Sequence, residues 1–366
     1  MKTILVTGGA GFIGSNFVRY LYENYPDYRI LVVDALTYAG SVQNCPDGAF
    51  RDPRYKFWYG DIRNGELMDT LVAQSDVVVH MAAESHVTRS IYDNRLFFET
   101  DVIGTQTVAN AVAKHSNRVE RFIHISTSEV YGTAYADKMD EEHPLNPMSP
   151  YAAAKCGADR LVYSYWATYQ IPAIIIRPFN NFGPYQHLEK AVPRFITSCL
   201  LGEPMTVHGD GSAARDWLFV EDHCEALDKV VHADLNKVVG QVINLGTGRD
   251  RSVLEVARAV KVVAEEYANE LVPVAAGRRR TDLAVRSGEP VAAQIISVGD
   301  RPGQVFRHTC DATKAKEILD WQPRVPFEEG LRRTFAWYRD NQNWWQPQMW
   351  MRHIPIITAA GKEEMH

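Results

Sequence analysis

The sequence predicts an α/β fold, a doubly wound parallel sheet carrying a second, smaller α/β lobe. Three observations predict it. Short β-rich runs alternate with longer helical patterns through the first half of the 366 residues. The first run ends in a glycine-rich turn that opens a helix. After Arg177 the texture shifts to Pro- and Gly-punctuated segments, Pro178 to Gly183 and His208 to Ala213. Strand, helix, strand at this regularity implies a parallel sheet covered on both faces.

The strands are expected at 3–6, 30–33, 56–58, 77–80, 122–126 and 173–177, with helical apolar spacing over 13–24 and 98–114 between them. Val77-Val78-Val79 is unbroken rather than alternating, as a strand buried on both faces requires. Beyond Arg177, helices are expected at 193–201 and 252–266, and further strands at 217–220 and 242–245. The chain therefore crosses between lobes more than once. Residues 1–178 plus 218–247 form the dinucleotide lobe, 179–217 plus 248–335 the second lobe, and 336–366 a Trp-rich tail. The basic stretch 276–280 reads as an exposed loop.

Composition narrows the function classes. With 46% apolar and 23% charged residues the chain is ordinary globular material. Lys plus Arg number 39 against 45 Asp plus Glu, so there is no basic excess to neutralise a nucleic acid. Cys45, Cys156, Cys199, Cys224 and Cys310 are odd in number and far apart, which argues against disulfides and zinc and for a reducing cytoplasm. No apolar run approaches a membrane span, and the stretch after Lys2 breaks at Thr7-Gly8-Gly9, too early for a signal peptide. The expectation is a cytoplasmic protein with no membrane and no nucleic-acid partner.

Gly8, Gly11 and Gly14 form G-x-x-G-x-x-G where the first strand meets the first helix. Such glycines allow a tight turn, let the backbone approach a pyrophosphate and pack the helix on the strand, while the helix N-terminus offers free N–H groups. Asp34 ends the second strand twenty residues after Gly14, placed to accept from the adenosine ribose and to repel a 2′-phosphate. NAD is therefore expected over NADP, on a Rossmann fold. Asp61 and Ile62, after the third strand, could reach the adenine.

Tyr151 and Lys155 form Y-x-x-x-K at the start of a helix signalled by Ser149-Pro150, and the i to i+4 spacing puts both on one face. An ammonium beside a phenol stabilises the phenolate, so the tyrosine can act as a base toward a hydroxyl being oxidised. Ser126-Thr127, at a strand end, lies where open α/β sheets hold their ligands.

With these residues the chain resembles the extended short-chain dehydrogenase/reductase family over nearly its full length, and within it the nucleotide-sugar 4,6-dehydratases, most of all those acting on dTDP-glucose. The segments that carry the resemblance run from His80 to Val87, Ser126 to Gly132, Ser149 to Tyr151, Arg177 to Pro184, Arg215 to His223 and Asp300 to Gly303. It implies a redox-neutral sequence in which Tyr151, assisted by Lys155 and Thr127, deprotonates the C4 hydroxyl as hydride passes to NAD. Glu129 then removes the C5 hydrogen, water leaves from C6, and the hydride returns there. It also implies Phe12, Ile13 and Ala82 as further cofactor contacts, and Ser85, Asn180, Lys190, Arg215, Asn244 and Arg301 as contacts to a nucleotide-diphosphate sugar.

The chain departs from the dTDP-glucose dehydratase pattern at Ser128, where that family carries an Asp that protonates the leaving water. A serine hydroxyl is a poor proton donor near neutrality. Either Glu129 returns its proton to the C6 oxygen, or the enzyme is instead a UDP-glucuronate decarboxylase, which carries a similar Ser-Glu pair. A C4 epimerase and a non-catalytic dinucleotide sensor complete the alternatives. Thr88 and Gln304 also differ from that pattern. The family's usual homodimer would use the helices at 98–114 and 151–169, and Trp337, Trp344, Trp345 and Trp350 should pack back over the second lobe, the alternative being an oligomer contact.

Overall fold

The computed structural model describes residues 1–270, 293–300, 302–352, 355–357 and 361–365. The expected basic loop at 276–280 and Arg301 lie outside the described residues.

Seven parallel strands form the main sheet: β1 (Thr3–Thr7), β2 (Arg29–Asp34), β3 (Tyr55–Tyr59), β4 (Val77–His80), β5 (Arg121–Ile125), β6 (Ala173–Pro178) and, after a short β7 (Asn180–Phe182), β8 (Met205–His208) and β9 (Ala214–Phe219), β10 (Val242–Leu245). Their spatial order is β10-β6-β5-β4-β1-β2-β3. Order therefore reverses between β1 and β4, and such a switch point opens a crevice at the carboxyl ends of the strands. All five residues of β1 and all four of β4 are buried, since helices cover both faces. One layer of core contains Phe17, Val18 and Leu21 of the helix Phe12–Asn24. The opposite layer contains Met68, Val108, Val112 and Val162.

The second lobe holds β7 and β9 with β11 (Asp250–Ser252), and a parallel pair of β8 with β12 (Ile295–Val298). The helices Ala191–Leu201, Val253–Glu270 and Phe327–Asp340 enclose its core of Phe182, Phe195, Trp217, Val260 and Leu331. Among the described residues no helix is long and apolar enough to cross a membrane.

Three departures from the expected layout have physical causes. The helix Thr313–Leu319, expected in the second lobe, puts Ala315 and Leu319 into the core beneath the large sheet, with Trp321 just beyond its end. The division at 336 falls inside the helix Phe327–Asp340, whose Tyr338 shares one core with Phe335, Trp344 and Trp345, so this part of the tail belongs to the second lobe. Finally, the expected helix over 98–114 is π-helical from Phe98 to Gly104 and α-helical only from Thr105 to Lys114. The wider turns direct both Asp101 and Thr105 inward, Asp101 to the Glu84 N–H at 2.8 Å and Thr105 to His80 at 2.9 Å.

Candidate active site

A cleft of about 350 Å³ opens at the carboxyl edge of the sheet. Gly8, Gly11, Phe12, Ile13, Gly14, Asp34, Asp61, Ile62 and Ala82 line it together with Ser85, Thr127, Ser128, Glu129, Tyr151, Lys155, Asn180 and Lys190. Gly8 has φ +69°, and a Cβ there would lie 2.7 Å from the Ala82 backbone. At Gly14 a Cβ would come within 2.1 Å of the Gly8 carbonyl. The turn is thus closed against side chains, and the helix Phe12–Asn24 begins at the cleft with Gly11 as its N-cap. A helix N-terminus behind a glycine turn suits the close approach of a pyrophosphate.

Asp34 accepts from the Ala10 N–H at 2.9 Å and the Leu36 N–H at 2.8 Å, while burial raises its pKa. Asp61 is partly buried, which opposes its ionisation, but the Arg63 guanidinium and N–H hold it below the ordinary carboxylate value. An acidic pair at this end suits a ribose hydroxyl and an adenine amino group rather than a 2′-phosphate. These residues fit NAD.

Thr127 follows β5 and caps the short turn Ser128–Tyr131, its hydroxyl accepting from the Glu129 N–H at 3.2 Å. Ser149 caps the helix Pro150–Tyr169 by accepting from the Ala152 N–H at 3.1 Å, and Pro150 opens it. That start aims Tyr151 and Lys155 into the cleft from consecutive turns. The Tyr151 phenol hydrogen-bonds Thr127, and burial together with the Asp101 and Glu129 charges pushes its pKa up. Lys155 donates to the Ile125 carbonyl at 2.7 Å. Burial lowers the pKa of this ammonium, while Asp101 and Asp159 oppose that shift.

Two residues expected as ligand contacts, Asn244 and Arg215, do not line the cleft. Asn244 is fully buried in β10, where its amide accepts from Tyr131 Oη at 2.7 Å and donates to the Met139 carbonyl at 3.1 Å. It thus supports the turn Ser128–Tyr131 from beneath and does not line the cleft, where the sequence placed it as a ligand contact. Arg215 is buried outside the cleft lining, donating to the Ala214 and Val305 carbonyls at 3.0 and 2.9 Å with its Nε 3.7 Å from Glu129. Lys190 stays at the cleft, donating to the Ser85 carbonyl at 2.8 Å.

Sequence reasoning missed Asp101, His308 and Glu189. Asp101 is buried with Oδ2 lacking a hydrogen-bond partner among the described residues, and burial raises its pKa against the Lys155 charge. Glu189 lines the cleft, accepting from Tyr38 Oη at 3.0 Å beside Lys190 at 3.3 Å. Their contacts with Glu84, Ser128 and Tyr38 join residues far apart in the chain, which no local spacing reveals. Among the described residues no group of His, Cys, Asp and Glu could hold a metal ion.

A family model described as GDP-mannose 4,6 dehydratase matches residues 5–334. The chain belongs to that family. This 4,6-dehydratase family member is 45% identical to the low-salt glycan biosynthesis protein Agl12 of Haloferax volcanii over 92% of the chain and 98% of that protein. It is 41% identical to the dTDP-glucose 4,6-dehydratase of Neisseria meningitidis serogroup B, over 94% and 96% of the two chains. Among solved structures, the dTDP-glucose 4,6-dehydratase DesIV of Streptomyces venezuelae, crystallised with NAD, superposes with a TM-score of 0.82 at 38% identity, covering 94% of this chain and 99% of that one. The chain is therefore an NAD-dependent nucleotide-sugar 4,6-dehydratase.

Proposed function

We propose that the protein converts a nucleotide-diphosphate hexose into its 4-keto-6-deoxy form, with Glu129 as the base at C5. The observation that carries this reading is the carboxylate of Glu129 in the same cleft as Tyr151, Thr127 and Ser128. Oxidation at C4 needs only the tyrosine, whereas removing a C5 hydrogen needs a second base. Bound NAD would accept hydride from C4 and give it back at C6. Tyr151 takes the C4 hydroxyl proton, the phenolate being stabilised by Lys155 and Thr127. The 4-keto group acidifies C5–H, Glu129 removes that proton, and the C6 oxygen departs as water. Asn180, Lys190 and Ser85, which line the same cleft, would contact the sugar and its diphosphate.

The test is incubation with dTDP-glucose, GDP-mannose, UDP-glucose, UDP-GlcNAc and UDP-glucuronate, followed by mass analysis. Loss of one water from dTDP-glucose or another hexose nucleotide is expected. Loss of carbon dioxide from UDP-glucuronate alone, or an epimer with no mass change, would overturn the reading.

The protein would work as a cytoplasmic homodimer. Its five cysteines are unpaired. Phe98, Ile103 and Tyr163, on the two helical segments expected at the interface, remain 42%, 50% and 42% exposed. Ile103→Glu should convert the dimer to a monomer by light scattering; a dimer that survives it is built elsewhere.

A further inference from the structure

The acid for the leaving water is the open step, and the residues behind Ser128 address it. His308 is completely buried. Its Nε2 lies 2.6 Å from the Gly132 carbonyl. A carbonyl can only accept, so Nε2 carries the hydrogen and, in the neutral ring, Nδ1 presents a bare lone pair. That lone pair faces Ser128 Oγ at 3.4 Å and Glu129 Oε1 at 3.9 Å. One atom thus looks toward both residues that meet the sugar at C5 and C6, although His308 is not itself part of the cleft lining.

We infer that His308 is a positioning residue that carries a proton from Glu129 to Ser128, so that Ser128 can act as the acid for the departing C6 oxygen. This rests on the dehydratase reading above. Glu129 takes the C5 proton as the C5–H pair becomes the enolate. The carboxylic acid passes that proton to Nδ1, leaving Glu129 ionised. The imidazolium N–H then gives its proton to Ser128 Oγ as the Ser128 O–H proton moves to the C6 oxygen and the C6–O bond breaks. Glu129, His308 and Ser128 end as they began, and the C5 proton has left in the water. No external oxidant or co-reactant is needed.

The groups facing the ring are Glu129, Arg215, the Gly132 carbonyl, His143 and the edge of Phe179. Burial first, with Arg215 and His143, lowers the imidazole pKa to about 4, against the opposing pull of Glu129 and Gly132. The lowered value brings the ring closer to a carboxylic acid, so it holds a proton handed from a carboxyl less tightly than an ordinary imidazole would. A histidine at its usual value would trap it. The ring is therefore neutral at rest and suited to carriage rather than storage.

The decisive variant is His308→Gln, whose amide can still donate to Gly132 but has no atom at Nδ1. Turnover should fall about 100-fold, the scale of general acid catalysis, with KM for the sugar nucleotide within about twofold, as expected when only the transition state is affected. The C5 hydrogen should still exchange with deuterium oxide, and the C4-oxidised species should accumulate. His308→Asn, which cannot titrate, should be equally slow. Ser128→Asp placed in the His308→Gln background supplies an acid of its own and should recover at least tenfold. Nitrogen NMR of the resting protein should show His308 as the Nε2–H tautomer, with Nδ1 shifting in Ser128→Ala.

Full turnover in His308→Gln overturns the inference, as does failure of Ser128→Asp to recover it or equal loss of C5 exchange and water elimination. A wild-type protein that forms no 4-keto-6-deoxy product overturns the dehydratase reading instead. The NMR arm then still decides whether His308 faces Ser128 with a bare nitrogen, and an Nδ1–H tautomer sinks the relay by itself.

Discussion

As the proposed base at C5, Glu129 is held between opposite demands. Its carboxylate must be ionised to take a proton, and Arg215 at 3.7 Å favours that state. It must also reach carbon rather than remain locked in an ion pair, and its Arg215 contact is longer than a normal hydrogen bond. Glu129→Gln should lower overall turnover by about 10² to 10⁴-fold. Oxidation at C4 should persist, so a stopped-flow trace should show reduced cofactor forming and not decaying. A variant that turns over fully would remove Glu129 from the base role. Thr127 and Glu129 were named through the family resemblance, and the Tyr151/Lys155 pair was legible because four residues along a helix put both on one face. His308 was not, because it meets Ser128 across 180 residues of chain.

The elements show where local pattern suffices. The unbroken run Val77–His80 and the capped helix Pro150–Tyr169 follow from burial periodicity and from Ser149-Pro150, and both appear within a residue of expectation. The glycine turn behaves likewise, because the constraint is steric and local to the β1–helix junction and the adjoining end of β4. Gly14→Ala would drive a methyl to within 2.1 Å of the Gly8 carbonyl and distort the turn. We expect NAD affinity to fall at least about tenfold by calorimetry, equivalent to roughly 1.4 kcal/mol. Gly65→Ala, with nothing within 4 Å of the added carbon, should leave it unchanged. The π-helical segment Phe98–Gly104 was not legible, since its apolar spacing reads as ordinary helix. Asp101, Thr105 and the Gly104 approach to Ile62 favour the wider turn only once the first lobe has closed around them.

At the scale of the molecule, the tail and the buried histidines dominate. Trp345 is fully buried and its indole donates to the Tyr338 carbonyl at 2.7 Å, whereas Trp350 is 74% exposed. Trp345→Ala should cost about 3–5 kcal/mol in urea unfolding, and Trp350→Ala about 0.5 kcal/mol or less. Comparable losses would place the tail outside the core. Burial lowers His80 and His223 to about 3, and, with Arg215 and His143 contributing, His308 to about 4. Their folded-state values lie below that of an unfolded histidine, so the folded protein binds fewer protons. Stability from these groups is complete above about pH 6.5 and is lost as pH falls toward the folded values, by about 1.4 kcal/mol per pH unit for each. Melting temperature should therefore drop steadily from pH 6.5 to about 5, and His223→Leu should shallow the drop. A flat profile would mean that these rings are already protonated when folded.

The sequence by itself determined the doubly wound sheet, the glycine turn between β1 and the first helix, the placing of Asp34 at the end of β2 and the Tyr151/Lys155 helix face. Each depends on contacts a few residues apart or on strand and helix periodicity, which a linear pattern preserves. Only the tertiary structure decided that Asn244 supports the catalytic turn from beneath, that Arg215 stands beside Glu129, and that the tail completes the second lobe's core. It also decided that His308 lies behind Ser128. Those assignments depend on which distant side chains burial brings together, and a hydrogen bond between residues far apart in the chain leaves no trace in local spacing.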